Sequence, residues 1–380
     1  MVSGGRHEQA GHCALVLPGG GARGAYQVGV LRAIAELYPA GHGPFNVVCG
    51  TSAGAINAAV VASHAHEFPA GIERLAEFWG SMFCDRIYRT DALTVLGSGL
   101  RWALGLGSGG LLDVAPRALL DNAPLREFLG RTLQLEGIDT AIAEGALRGV
   151  AVTASGYTRA GAVSFFQAAE GVEPWRRHRR EGVAARLGVP HLLASAALPM
   201  IFPAERLGDE WFGDGGMRMS APLSPAIHLG ADRILVIATR DEHPDPEPTA
   251  PTRYPPPAEI AGYLLDTIFM DTLNADLARL NRVNRTLSLI SEERRTETHL
   301  NYIDTLVIRP SRDLRDVTAG HAVDIPWAVK LLLRSLGGWG RDWRMASYLL
   351  FEAPYCQALM ELGYADGMAQ QRRIRDFLGG

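Results

Sequence analysis

The sequence predicts an α/β protein: a three-layer α/β/α arrangement around a mainly parallel central sheet, with a mostly helical C-terminal extension. Three observations carry that expectation. Short apolar runs at 13–18 and 45–49 end in glycine-rich turns, and helical patterns follow each of them, at 24–37 and 54–63. Strand, helix, strand, helix in that order implies parallel pairing through right-handed crossovers. Later apolar runs at 233–239 and 305–308 are long enough only for buried strands, and they read as further members of the same sheet.

The elements follow in chain order. Residues 13–18 are apolar without alternation, as a strand covered on both faces must be. In 24–37, Ala25, Val28, Leu31, Ile34 and Ala35 recur at helical spacing. The helix expected over 54–63 is small and apolar, suited to packing close against the sheet. Residues 70–147 read mostly as helices and loops, with a glycine-rich patch at 105–110. Runs at 149–155 and 162–167 flank a turn at 156–161 and read as a hairpin. Residues 191–197 look helical, and 211–213 form a short strand leading into Asp214. Composition changes at 243–257, where Pro244, Pro246, Pro248, Pro251, Pro255, Pro256 and Pro257 mark a connector of extended character. Beyond it Leu265, Phe269, Leu273, Leu277 and Leu280 form an apolar stripe opposed by Asp266, Asn274 and Arg282. Residues 328–378 read as helices punctuated by Gly337, Pro354 and Gly363. The expected organisation is a catalytic domain over 12–240, a proline-rich linker over 241–258, and a mostly helical region over 259–380 packed on the catalytic domain.

Composition bounds the function. Of 380 residues, 47% are hydrophobic and 21% charged, enough for a sizeable core and too apolar for wholesale disorder. The net charge of -4 supplies no global basic field to attract nucleic acid. Cys13, Cys49, Cys84 and Cys356 are scattered with no CxxC pair, which suggests reduced thiols in a cytosolic protein and no zinc site. No secretory leader is readable in residues 1–12, and no run of about 18 apolar residues predicts a spanning helix. No metal and no cofactor is expected.

Three segments carry chemistry. Gly50-Thr51-Ser52-Ala53-Gly54 is a G-x-S-x-G between an apolar strand and a helix, the context of a nucleophile elbow. Its small flanking residues let backbone pass, and the helix N-terminus favours a developing anion beside Ser52. Gly19-Gly20-Gly21-Ala22-Arg23-Gly24 fits two uses. As a dinucleotide turn it would need an acidic residue ending the second strand, but Cys49-Gly50 stands there. As an oxyanion hole it needs only bare N–H groups at the carboxyl edge of the sheet, and that use accounts better for the glycine run. A β-carbon at Gly21 is then expected to hurt catalysis more than stability. Gly213-Asp214-Gly215-Gly216 taken alone is a turn aspartate, yet a serine nucleophile needs a base. The histidines offer none in a recognisable context. His191 and His228 sit in apolar helical runs, and only His299 and His321 follow late enough to suit a hydrolase.

Taken together, Gly-Gly-Gly-Ala-Arg-Gly at 19–24, Gly-Thr-Ser-Ala-Gly at 50–54 and Asp-Gly-Gly at 214–216 resemble the patatin-like phospholipases, over roughly residues 12–240. Ala194-Ser195-Ala196-Ala197-Leu198-Pro199 and Gly230-Ala231-Asp232-Arg233-Ile234 add to the likeness. The resemblance implies a Ser52–Asp214 dyad without histidine, hydrolysis of lipid acyl esters without a metal, and an oxyanion held by the N–H groups of Gly20, Gly21 and Ala22, with Arg23 nearby. Ser220 stands where many relatives carry asparagine, which puts the local support of the acid loop in question. Rival readings are a non-catalytic lipid-binding or regulatory protein on the same scaffold, and a hydrolase of other acyl esters or thioesters. Trp175, Arg176, Arg177, His178, Arg179 and Arg180 suit either an anionic membrane surface, met peripherally, or a plain solvated face.

Overall fold

The computed structural model describes residues 11–39, 41–89, 118–242, 254–298, 300–340 and 343–379. The glycine-rich patch at 105–110, His243, His299, and Pro244, Pro246, Pro248 and Pro251 lie outside the described residues.

Ten strands of the described residues join one mixed sheet: β1 (Cys13–Leu17), β2 (Val47–Thr51), β3 (Gly149–Gly156), β4 (Gly161–Ala168), β5 (Trp175–Arg177), β6 (Arg180–Ala184), β7 (Glu205–Leu207), β8 (Glu210–Asp214), β9 (Arg233–Ile237) and β10 (Asp304–Ile308). The order is β10-β9-β1-β2-β3-β4-β6-β5. The first five strands of that row run parallel to one another. β4 turns back antiparallel to β3 as the expected hairpin, and β6 follows β4 in parallel. β1 and β2 are buried at every residue, as unalternating apolar strands in a parallel sheet should be. The run after residue 304 does return to this sheet, pairing β10 with β9.

One detail of register builds the site. β3 outruns β2: Thr51 at the end of β2 pairs with Thr153, and the next residue of β3, Ala154, pairs with Asp214 of β8. The ends of β2 and β8 therefore meet along one edge of β3. Residues 52 and 214, far apart in sequence, become neighbours through backbone pairing alone.

Helices flank the sheet. α1 (Gly24–Leu37) and α2 (Ala53–Ser63) follow β1 and β2 directly. Every residue of α2 is buried, so it is wrapped by structure on all sides. α1 packs against the helix Ala353–Ala369 at backbone contact. A β-carbon on Gly29 would meet the Met360 carbonyl, and one on Gly363 would meet that of Tyr26. Gly363 is thus no helix break. It lies inside the helix and permits the close approach, whereas Pro354 does open that helix.

The C-terminal stripe is as expected on its apolar side, with Leu265, Phe269, Leu273, Leu277 and Leu280 all buried. Asn274 and Arg282 are exposed on the opposite side, but Asp266 is not: it is 3% exposed. The amphipathic pattern misplaces it because a polar residue can turn to buried partners as well as to water. Here those partners are arginines.

Candidate active site

Ser52 sits between β2 and α2 with φ 56° and ψ −129°, a backbone conformation that costs a non-glycine residue about 1–3 kcal/mol. Three contacts hold it there. Gly50 lies where a β-carbon would strike the Gly54 carbonyl, and Gly54 where one would strike the Leu17 carbonyl. The Ser52 N–H donates to Ser195 Oγ at 2.9 Å, and Ser195 Oγ donates to the Thr153 carbonyl at 2.6 Å. Ser195 thereby ties the elbow to β3. Its place in the 194–199 segment was legible in the sequence, but its role was not. Thr51 ends β2, and Ala53 opens α2, whose N-terminus points at the serine.

Asp214 is fully buried. Its N–H donates to the Ala197 carbonyl at 2.8 Å, and its Oδ1 accepts the Gly216 N–H at 2.9 Å. Oδ2 is buried with no hydrogen-bond partner. Burial drives the carboxyl pKa up to about 7, and the nearby Ser52 hydroxyl and the Gly216 N–H oppose that rise. The Ser52 hydroxyl is thus close enough to act on the carboxylate while leaving Oδ2 without a formed hydrogen bond, as in many unliganded sites. Gly215 is required because a β-carbon would strike the Thr153 carbonyl. The acid loop is braced by Ser155, whose Oγ donates to the Gly215 carbonyl at 3.2 Å and accepts the Arg218 N–H at 3.2 Å. Ser220 is exposed, and its contribution among the described residues is a backbone N–H donated to the Arg218 carbonyl at 2.9 Å.

The glycine loop passes beside both groups. A β-carbon on Gly19 would lie 3.0 Å from Ser52 Cβ. The N–H of Arg23 is spent on the Gly20 carbonyl at 3.1 Å, and that of Gly24 on the Gly21 and Ala22 carbonyls. Of the six loop residues, that leaves Gly19, Gly20, Gly21 and Ala22 with N–H groups that remain candidates for an oxyanion. Thr239 Oγ1 anchors the loop at the Gly19 carbonyl (2.9 Å), and Gln27 Nε2 anchors the Pro18 carbonyl (2.9 Å). Asn57 links Gln27 to Trp79 behind the loop, with bonds of 2.9 and 2.8 Å.

Arg23 points away from the site. Its guanidinium is buried over the Tyr348 ring at 4.0 Å and bonds Ser347 Oγ (2.9 Å) and Asp266 Oδ1 (3.2 Å). It anchors the loop and does not reach an oxyanion. Gly21 has a second constraint that the sequence does not reveal. Its φ is +55°, and a β-carbon would collide with the Tyr348 carbonyl. The expectation for this position changes accordingly. Gly21→Ala should lower the melting temperature, by strain on the order of 1–3 kcal/mol plus the collision, as well as slow labelling of Ser52. A melting curve beside a labelling rate reads both, and an unchanged melting temperature would contradict the observed packing.

The approach to Ser52 is apolar. A narrow pocket with about 30 Å³ of room, enough for about two waters, is lined by Ser52, Ile56, Trp79, Met82, Phe202 and Phe351 among others. Phe269, missed as a site residue, covers the loop: a β-carbon on Gly19 or Gly216 would run into its ring. No histidine is hydrogen-bonded to Ser52 or Asp214 among the described residues. His321 pairs with Asp324 at 2.9 Å, His191 packs on Phe165, and His228 stacks on Trp175. No group of three or more metal-binding side chains occurs among the described residues.

With this geometry, the comparison with known families is direct. A model of the patatin-like phospholipases matches residues 15–227, more than half of the chain. The chain belongs to that family. The match ends just after the acid loop, so β9, β10 and the C-terminal helices lie beyond it. No curated protein matches the patatin-like chain in sequence. Solved structures similar to it include VipD from Legionella pneumophila, at 11% identity and a TM-score of 0.35, covering 95% of this chain and 67% of that one. The type III effector ExoU matches at 15% identity and a TM-score of 0.38, over 96% of this chain and 53% of its own length. A structure of ExoU from Pseudomonas aeruginosa in complex with SpcU matches at 15% identity and a TM-score of 0.26, over 96% and 78%. Among the described residues, no helix is long and apolar enough to cross a membrane.

Proposed function

We propose that this chain hydrolyses lipid acyl esters, with Ser52 as nucleophile and Asp214 as its base. The observation that carries the reading is the unpartnered, buried Oδ2 of Asp214 beside a serine held in a strained elbow. Ser52 Oγ attacks the acyl carbonyl and passes its proton to Asp214 Oδ2. The carbonyl oxygen becomes an oxyanion, held by the N–H groups of Gly20, Gly21 and Ala22 and favoured by the N-terminus of α2. The intermediate collapses, and the departing alcohol takes the proton from Asp214. Water then attacks the acyl-serine, gives a proton to Asp214, and releases the fatty acid as the proton returns to Ser52. The apolar lining above Ser52 suits an acyl chain, which enters only as side chains such as Met82 and Phe202 move apart. Phospholipids, lysophospholipids, glycerides and acyl thioesters all present the same carbonyl to this machinery.

On this reading residues 12–240 form the catalytic unit and residues 241–258 connect it to a region, 259–380, that packs on it. The test is covalent labelling with a fluorophosphonate, followed by fatty-acid release from a panel of lipids. Labelling at Ser52, lost in Ser52→Ala, is expected, with release from at least one lipid class above the Ser52→Ala blank. Labelling of a different serine, or none, would remove the proposed chemistry.

A further inference from the structure

A row of backbone pairing crosses the sheet just beside the acid. Gly213, immediately before Asp214, pairs with Ser155; Ser155 pairs with Ala162, Ala162 with Arg180, and Arg180 with Arg177. At about 4.8 Å per strand, four such steps place the β5–β6 turn roughly 19 Å from the site, on the same rim of the sheet. That turn is Arg177-His178-Arg179-Arg180. The neighbouring β3–β4 turn brings Arg159 beside it, and Arg159, Arg176, Arg177, Arg179 and Arg180 line a shared recess of about 150 Å³.

The charges there do not cancel. Glu181 and Glu210 both pair with Arg159, at 2.6 and 3.1 Å, and Glu181 lies 3.9 Å from Arg176. Asp276 acts on Arg180 from the covering helix. Arg177 and Arg179 are exposed and have no carboxylate partner among the described residues. This basic rim belongs to a chain whose net charge is −4. Beside the site stand two exposed aromatics, Tyr157 just after β3 at 47% exposure and Trp211 on β8 at 46%. They are joined through the Tyr157 N–H, which donates to the Trp211 carbonyl at 3.0 Å. Tyr157 also leans over Gly213, where a β-carbon would lie 2.5 Å from its hydroxyl.

We propose that this rim, with the arginines of the β5–β6 turn outermost and Tyr157 and Trp211 nearest Asp214, is the surface by which the protein docks on an anionic lipid bilayer. Guanidinium groups take headgroup phosphates as bidentate partners. Aromatic rings with a polar edge settle at the headgroup level. The docking rests on the lipid-directed reading of Ser52 for its purpose, but it can be measured without turnover.

The experiment sediments full-length Ser52→Ala protein with vesicles of phosphatidylcholine alone or mixed with phosphatidylglycerol. Binding to the mixed vesicles, weak binding to phosphatidylcholine, and loss of binding at high salt are expected. Adding Arg177→Gln and Arg179→Gln should weaken binding about 30-fold, from about 1 kcal/mol per arginine near the surface. Arg372→Gln with Arg373→Gln removes the same charge from exposed positions of the last helix and should change little. Melting curves establish that each variant is folded. Equal binding to both vesicle types, or an equal loss from both arginine pairs, would overturn the proposal while leaving the Ser52 labelling result untouched.

Discussion

Asp214→Asn is expected to abolish turnover and, at the same time, to make the protein more stable. The loss follows from chemistry. Without a base the serine stays a poor nucleophile, and removing one member of such a unit costs about 10⁴ to 10⁶ in rate. The gain follows from linkage. The carboxyl is fully buried and its pKa rises from the ordinary aspartate value of 3.8 to about 7, mainly through desolvation. Between those values the folded protein holds a proton that the unfolded chain releases, so stability falls as pH rises from about 4 to 7 and stays lowered above 7. The charge then costs up to about 4 kcal/mol, three pKa units at about 1.4 kcal/mol each. Asparagine keeps an oxygen for the Gly216 N–H and carries no charge, so it removes most of that cost. Melting curves should show the variant above the wild type at pH 8 and level with it near pH 4. In the wild type, hydrolysis should rise with pH and level off above about 7, as Asp214 Oδ2 becomes free to accept a proton. Near-normal turnover in Asp214→Asn would remove the aspartate from the mechanism. A lower melting temperature at pH 8 would mean that the carboxylate is better solvated than its burial implies.

The parts of this molecule that the sequence makes legible are those where backbone sterics dictate residue type. β1 and β2 announce themselves as apolar runs that stop at glycine, because buried parallel strands cannot alternate and their turns leave no room for a β-carbon. Ser52 and Asp214 stand out for the same reason, each set close to glycines (Gly50, Gly54 and Gly215) where a β-carbon would strike a neighbouring carbonyl. What brings the two together is not legible. It depends on β3 running past β2 so that Asp214 pairs with Ala154, a pairing of three residues that leaves no periodic trace. Side-chain direction is hidden too. Arg23 belongs to the glycine motif by position, yet it turns its guanidinium to the C-terminal region. Asp266 reads as the polar side of an amphipathic helix, yet it faces inward. A one-dimensional pattern cannot distinguish a polar face turned to water from one turned to buried partners of opposite charge.

That inward aspartate leads to the second large effect. Asp266→Asn should destabilise the protein by about 3–5 kcal/mol, the usual cost of removing one partner from a buried ion pair. The Asp266 carboxylate lies 3.2 Å from Arg23, 3.4 Å from Arg240 and 3.2 Å from Arg344, and its Oδ1 also accepts the Tyr348 hydroxyl at 2.6 Å. One carboxylate thus reaches three guanidiniums, two of which, Arg23 and Arg344, are buried. Asparagine preserves the shape and a hydrogen-bond acceptor but removes this negative charge, so the cost falls mostly on Arg23, which is 2% exposed. At about 1.3 °C per kcal/mol for a chain of 380 residues, the melting temperature should drop by about 4–6 °C. Because Arg23 directly follows Ala22, labelling of Ser52 should slow beyond what the folded fraction accounts for. Two comparisons isolate the cause. Glu127→Gln removes the acid of the exposed Arg131 pair, where both side chains are more than two-thirds open to solvent, and should move the melting temperature very little. In an Arg23→Met background Asp266→Asn should cost clearly less than in the wild type, since coupled residues do not add. Equal costs in both backgrounds would show that Asp266 and Arg23 are independent. The tie between the C-terminal region and the glycine loop would then rest on Arg23 against Ser347 and Tyr348 and on the Tyr348 carbonyl packed against Gly21.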